Sequence, residues 1–212
     1  MKQFTIILFT LLACVMGACS SDDEKGFEVV DSYTPLIKEG KIWCYTGSDR
    51  SAPYPQRAIE RFRGDTIIGG VSYHKLYRTY SDALKEDVYR AAFREEGKKV
   101  YCVKEGSTEE VLAYDFGLPL GSSFTVLLAP VATDATVTAI TTDSNLNGNQ
   151  QVQHCSQLTL TAEGVGSMQW VEGVGNPYGL VYNFMNYSGA TGGEMVYSCI
   201  DTATGQVFYN RP

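Results

Sequence analysis

The sequence is poor in the residues on which many hydrolases and metalloproteins depend. Its 212 residues include only two histidines, His74 and His154, which leaves no His-rich metal site. Basic residues are outnumbered, 17 Lys and Arg against 24 Asp and Glu, giving a net charge of −7. That balance excludes nucleic-acid binding by phosphate neutralisation. There is no HExxH, GxSxG, P-loop, CxxC or intact GxGxxG; Gly164-Val165-Gly166 lacks the third glycine of a dinucleotide fingerprint. Nothing therefore calls for a metal or a cofactor. Amphipathic helical periodicity is nearly absent, its best candidate being a short turn within 27–36. What is there excludes disorder: 44% of residues are hydrophobic and 12% aromatic, with 14 tyrosines.

The N-terminus reads as an address. Lys2 opens a short positive region and Phe4–Ala13 is an apolar run of ten. A bilayer-spanning helix needs roughly 20 residues, so the run suits the core of an export signal instead. Val15-Met16-Gly17-Ala18-Cys19 follows, small residues leading to a cysteine. It resembles the lipobox of bacterial lipoproteins, although Met16 replaces the usual Leu. That resemblance implies cleavage before Cys19 and lipidation of its thiol and amine. Cys14 is a rival, but only Cys19 is followed by a solvating tether, Ser20-Ser21-Asp22-Asp23-Glu24-Lys25-Gly26. Removing residues 1–18 takes away only Lys2 among charged residues, so the mature chain is still more acidic. Anionic headgroups should repel it, and the lipid must provide the anchor. The expected organisation is a signal peptide over 1–18, a lipidated Cys19 with its tether over 19–26, and one β-rich domain over 27–212.

The rest of the chain reads as strands separated by turns, with Tyr, Val, Thr and Phe between turn signals. Gly69-Gly70 predicts a two-residue hairpin that sets Ile68 against Val71, Thr66 against Tyr73 and Phe62 against Tyr77. These six form its expected apolar face. Arg61, Arg63, Asp65, His74 and Arg78 lie on the wetter one, interrupted by Leu76 and Tyr80. A turn at Glu96-Gly97 pairs Phe93 with Val100 and Ala91 with Cys102. Others fall near Glu105-Gly106-Ser107, returning through Val111–Tyr114, and at Thr204-Gly205, between Met195–Asp201 and Gln206–Asn210. Asn147-Gly148 joins 134–145 to 150–161 and sets Val137 against Leu158. An antiparallel meander of this length must curl or split to cover itself, into a half-barrel or a two-layer sandwich.

Several stretches resemble the small uncharacterised surface lipoproteins of Bacteroides-type bacteria. They are Cys19–Glu24, Glu39–Trp43, Gly64–Gly70, Lys75–Tyr77, Arg94–Tyr101, Tyr114–Phe116 with Leu120-Gly121, and Trp170–Gly175 with Gly179-Leu180. The resemblance implies an outer-membrane lipoprotein exposed at the cell surface, its export signalled by the acidic residues after Cys19. It implies continuity of fold over about 39–210, and no catalytic residue. Asp65-Thr66-Ile67 and Asp201-Thr202-Ala203 also look like the O-glycosylation motif of these bacteria. Thr202, near a turn, is the better candidate, because Thr66 points inward.

Chemistry-bearing residues are few. Asp65 and His74 oppose each other on the hairpin; this is half of a general-base pair, but the leading reading is an exposed cross-strand ion pair. His154 shares a face with Leu158 and Leu160. Cys44, Cys102, Cys155 and Cys199 each sit in a strand and permit, without requiring, two disulfides. Glu172, between Trp170 and Gly173, and Asp115, between Tyr114 and Phe116, combine acid, aromatic and close backbone as sugar hydrolases do. The same pattern suits strand ends where a carboxylate accepts backbone N–H bonds. Tyr178, Tyr182 and Tyr187 lie in a loop-like region suited to stacking on sugars. The leading expectation is a non-catalytic module binding a glycan or an envelope or host protein, with Trp170, Glu172, Tyr178 and Tyr182 as candidate ligand contacts. The alternatives are a half-barrel carrier of an apolar ligand and a glycosidase-like hydrolase using Glu172 and Asp115.

Overall fold

The computed structural model describes residues 33–47, 56–80, 86–127, 132–143, 155–181 and 194–210. Cys19, His154, Tyr182, Tyr187, the Asn147-Gly148 turn and residues 27–32 of the helical candidate lie outside them. Residues 33–36 contain no helix. The chain divides into Met1–Asp31 and Ser32–Pro212, and the fold and contacts described below are those of the second unit.

Six strands come first: β1 Lys41–Gly47, β2 Gln56–Ile68, β3 Val71–Tyr80, β4 Asp87–Glu96, β5 Lys99–Lys104 and β6 Glu110–Asp115. Four follow, β7 Ser123–Leu127, β8 Ala132–Asp143, β9 Cys155–Ala162 and β10 Gly166–Val171, and then β11 Glu194–Asp201 and β12 Val207–Asn210. All pairings are antiparallel. They build an open eight-stranded sheet in the order β12-β11-β1-β2-β3-β4-β5-β6 and a four-stranded sheet in the order β10-β9-β8-β7. The expected all-β architecture is thus present, but it is not one continuous meander. After β6 the chain leaves to make the smaller sheet, then returns to extend the larger one beyond β1.

One core joins the two sheets. Trp170 of β10 is fully buried, its ring edge-on to Phe124 of β7 at 5.0 Å and to Tyr114 of β6 at 5.1 Å between centroids. Tyr114 stacks on Phe116, and Phe62 meets Trp43 and Phe93 edge-to-face. Such contacts contribute about 0.5–1.5 kcal/mol each beyond the area they bury. Alternation selects these residues: in β8, Ala135 and Val137 point inward while Asp134, Thr136 and Thr138 point out.

Three expected registers shift. In β2, Ile68 does face Val71, Thr66 faces Tyr73 and Asp65 faces His74, but a bulge at Arg63-Gly64 then pairs Phe62 with Leu76 instead of Tyr77. Gly64 supplies the left-handed φ of +66° there. The bulge exchanges the faces: Phe62 and Leu76 enter the main core, whereas Tyr73 packs with Ala92, Val103 and Ile68 on the sheet's other side. The single apolar face expected for this hairpin does not exist. The next turn is Gly97-Lys98, not Glu96-Gly97, so Phe93 pairs with Cys102 and Ala91 with Lys104. Val137 opposes Leu160, not Leu158, across a further irregularity in β8. The last two shifts move partners by two residues, which leaves each side chain on its expected face.

The β5–β6 and β11–β12 turns fall where expected. Cys44, Cys102 and Cys199 are buried. Cys44 pairs with Ser198, and Trp43 with Cys199, so the two cysteines lie on opposite faces of adjoining strands. Burial pushes the Cys102 thiol up to about 12.

Candidate functional site

The segment leaving β10 is the most constrained non-strand part of the fold. Glu172, Gly173, Val174, Gly175 and Asn176 are all buried. Gly173 and Gly175 have φ near +75° and +84°, a conformation that costs other residues about 1–2 kcal/mol. They fold the chain back so that Val171 N–H donates to Gly175 O at 3.0 Å and Gly175 N–H to Val171 O at 2.7 Å. Buried backbone groups need partners, and side chains supply several. Trp43 Nε1 donates to Val174 O at 2.9 Å. Tyr114 Oη donates to Leu180 O at 2.8 Å. Lys41, only 1% exposed, reaches Gly173 O at 2.9 Å, Pro35 O at 2.6 Å and Leu36 O at 3.3 Å. Its ammonium also lies 4.2 Å from the Phe208 ring centroid.

The same knot clasps the entry segment, residues 33–38. Glu172 Oε1 accepts Thr34 N–H at 2.7 Å. The Glu95 carboxylate accepts Leu36 N–H at 2.9 Å, Ile37 N–H at 3.0 Å and the Tyr33 hydroxyl. Burial, then the bond to Glu95, raises the Tyr33 phenol far above its usual range. Asp201 closes this end of the fold through Lys38 at 2.5 Å. That pairing, reinforced by Ala203 and Thr204 amides, holds its carboxyl down at about 2.

Residues flanking the knot in the chain line a recess of about 290 Å³, formed by Met168, Gln169, Pro177, Tyr178 and Tyr209. Gln169 is on β10, the edge of the small sheet, and Tyr209 is on β12, the edge of the large one. The recess therefore opens where the two layers end. Tyr178 is fixed beside it by its N–H to Asn176 Oδ1 at 3.0 Å, while Val196 N–H holds Pro177 O at 2.6 Å.

The candidate residues thus separate. Trp170 is not a ligand contact: it is the centre of the core, because its strand alternation turns it inward. Glu172 is a buried structural acceptor. Tyr178 is half-buried at the recess. Asp115 accepts Gly117 N–H at 2.9 Å, so both carboxylates proposed for hydrolysis hold backbone amides, each in its own setting. His74 Nδ1 lies 2.8 Å from Asp65 Oδ1, with both side chains more than half exposed. They border a second recess of about 300 Å³ with Ile37, Glu39, Phe62, Arg63 and Gly64. Thr202 is exposed and donates to Gly40 O at 2.9 Å, while Thr66 is partly buried. Among the described residues, no group of three or more His, Cys, Asp or Glu side chains converges to hold a metal ion.

Sequence reasoning missed Gln169, Tyr209, Lys41 and Glu95. Lys41 carried a signal, since it alternates with Trp43 and Tyr45 on an apolar face where a lysine is unusual. Glu95 carried none, because Glu95-Glu96 before a turn looks solvated. No protein-family model, no curated protein sequence and no solved structure matches the chain.

Proposed function

We propose that the chain is a non-catalytic binding module, held to the outer membrane by lipid on Cys19, that takes a sugar unit of a glycan at the edge recess. The carrying observation is the recess itself. Two tyrosines and a glutamine amide, Tyr178, Tyr209 and Gln169, meet in an opening lined also by Met168 and Pro177. Flat rings stack on the apolar faces of sugars, and an amide both donates to and accepts from hydroxyls. The volume lies at the small end of ligand pockets, near 300 Å³, which suits one sugar residue of a longer chain. The acids considered for hydrolysis serve backbone amides, and Trp43, Trp170, Tyr114, Leu158 and Leu160 fill the space an apolar cargo would need.

The test is retention of immobilised glycans by the mature chain, beside Tyr178→Ala and Gln169→Ala. Y178A should weaken retention about tenfold with its thermal midpoint little changed. No retained glycan, or equal retention by Y178A, would refute the recess. Anchoring is read separately, as the mass of the N-terminal peptide from the membrane fraction. An acylated cysteine at position 19 is expected, and an unmodified one would refute the anchor.

A further inference from the structure

The β2–β3 hairpin ends in an uncharged tip. Between Asp65 and His74 no residue carries a charge, and Ile67-Ile68-Gly69-Gly70-Val71 forms the turn and its flanks. Ile67 is 76% exposed and Val71 43%, so two β-branched aliphatic side chains stand in solvent at one hairpin tip. Ile67 pairs with Ser72, and Ile68 with Val71, so Ile67 projects from one face of the ribbon and Val71 from the other. A protein partner docking on one face would leave the other side unexplained. A medium that surrounds the tip accounts for both.

The topology fixes where this tip points. Ile42 pairs with Arg61, whereas β2 continues to Ile68. The hairpin therefore climbs past the start of β1 by about six residues, or about 20 Å. The described chain begins at the same end. Tyr33 bonds to Glu95, one residue from the end of β4, and β4 runs toward the same edge as β2 because β3 lies antiparallel to both. Cys19 to Ser32 is fourteen residues, which span at most about 50 Å in any conformation. An anchored Cys19 thus limits how far this end of the domain can stand from the membrane, and within that reach even a weak apolar contact is amplified by effective concentration.

We infer that the β2–β3 tip is a second, lipid-contacting foot, Ile67 and Val71 dipping into the interface of the bilayer that holds Cys19. The inference rests on the anchor in the proposed function. The contact is apolar rather than electrostatic. The tip itself is uncharged and the whole chain is acidic, so neutral lipid favours it and anionic lipid weakens it.

The experiment holds the mature chain on phosphatidylcholine vesicles through a hexahistidine tag replacing Cys19 and a nickel-chelating lipid. It therefore reads the tip whether or not the native cysteine is acylated. Ile67→Trp reports at the tip, and Ser107→Trp reports at the opposite end of the sheet. Native Trp43 and Trp170 are fully buried and give a background that lipid does not reach. The I67W emission should shift to the blue and be quenched by brominated acyl chains, while S107W emission should not. Vesicles rich in anionic lipid should reduce the I67W quenching. Without the tag, Ile67→Asn should lower partition onto neutral vesicles about tenfold. Equal quenching at both positions, none at I67W, or quenching only on anionic vesicles would overturn the inference. So would a blue shift that follows protein concentration without lipid, which would assign the tip to a second copy of the chain.

Discussion

Replacing Gly173 by alanine should separate two physical effects that a glycine can hide. Gly173 and Gly97 both have positive φ, +75° and +58°, so an alanine at either position meets a backbone penalty of about 1–2 kcal/mol. Part is returned in each case, about 0.4–1 kcal/mol, because alanine restricts the unfolded chain. At Gly97 nothing lies within 4 Å of the added Cβ, and the net destabilisation should be about 1 kcal/mol or less. At Gly173 the added Cβ would stand 2.5 Å from Thr34 Cγ2 and 3.3 Å from Thr34 O. Thr34 cannot retreat freely, because its N–H is held by Glu172. Overpacking of this kind adds about 1–3 kcal/mol, giving about 1–4 kcal/mol for G173A. Equilibrium urea unfolding, followed by emission of the buried Trp43 and Trp170, would read the difference as a midpoint shift at unchanged slope. Thr34→Ser removes Cγ2 and should recover part of the loss in the double variant. Equal midpoints for G97A and G173A, or no recovery with T34S, would refute the claim that the knot and the entry segment are rigidly apposed.

Other expectations follow from the buried polar groups. Tyr45 Oη donates to Glu60 Oε2 at 2.5 Å, and Arg78 Nη1 to Glu60 Oε1 at 3.2 Å, all three residues being buried. Glu60→Gln takes the carboxylate away from Arg78 and should destabilise by about 3 kcal/mol in urea unfolding. Burial raises the Tyr45 and Tyr114 phenols well above the ordinary range. In an alkaline titration their ionisation at 295 nm should therefore coincide with loss of the folded tryptophan signal, and stepwise ionisation before unfolding would contradict it. Asp201, held at about 2 mainly by Lys38, has a folded pKa below its unfolded value of about 3.9. Its stabilisation is full above pH 4 and is lost as pH falls toward 2. Asp201→Asn should flatten the acid limb of stability against pH, and an unchanged limb would count against the pair.

Strand content and several turns were legible because alternation and glycine placement are local signals. The β11–β12 turn at Thr204-Gly205 and the exact Asp65–His74 pairing came from them alone. What local signals do not hold is a bulge, which depends on how both partner strands meet the core. Gly64 looked like part of a uniform strand, yet it exchanges the two faces of its hairpin. The pairing of β1 with β11 was equally hidden, since nothing in residues 41–47 names a partner about 150 positions away. Of the residues lining the candidate recess, the sequence singled out only Tyr178. Trp170 and Glu172 stood out in the sequence because they are unusual neighbours, but that neighbourhood serves the knot. Lys41 and Trp43 reach that knot from about 130 positions away.

The placement of β1 between β2 and β11 also orders events in time. The ladder from β1 to β6 links sequence neighbours and can close as soon as each hairpin is available. The other edge of β1 has to wait for β11, whose pairing of Lys41 with Asp201 spans most of the chain. Until then Trp43 and Lys41 lack the far wall formed by Cys199 and Phe208. A chain emerging N-terminus first thus holds an unfinished sheet edge until β11 arrives, and only then can β1 become an interior strand.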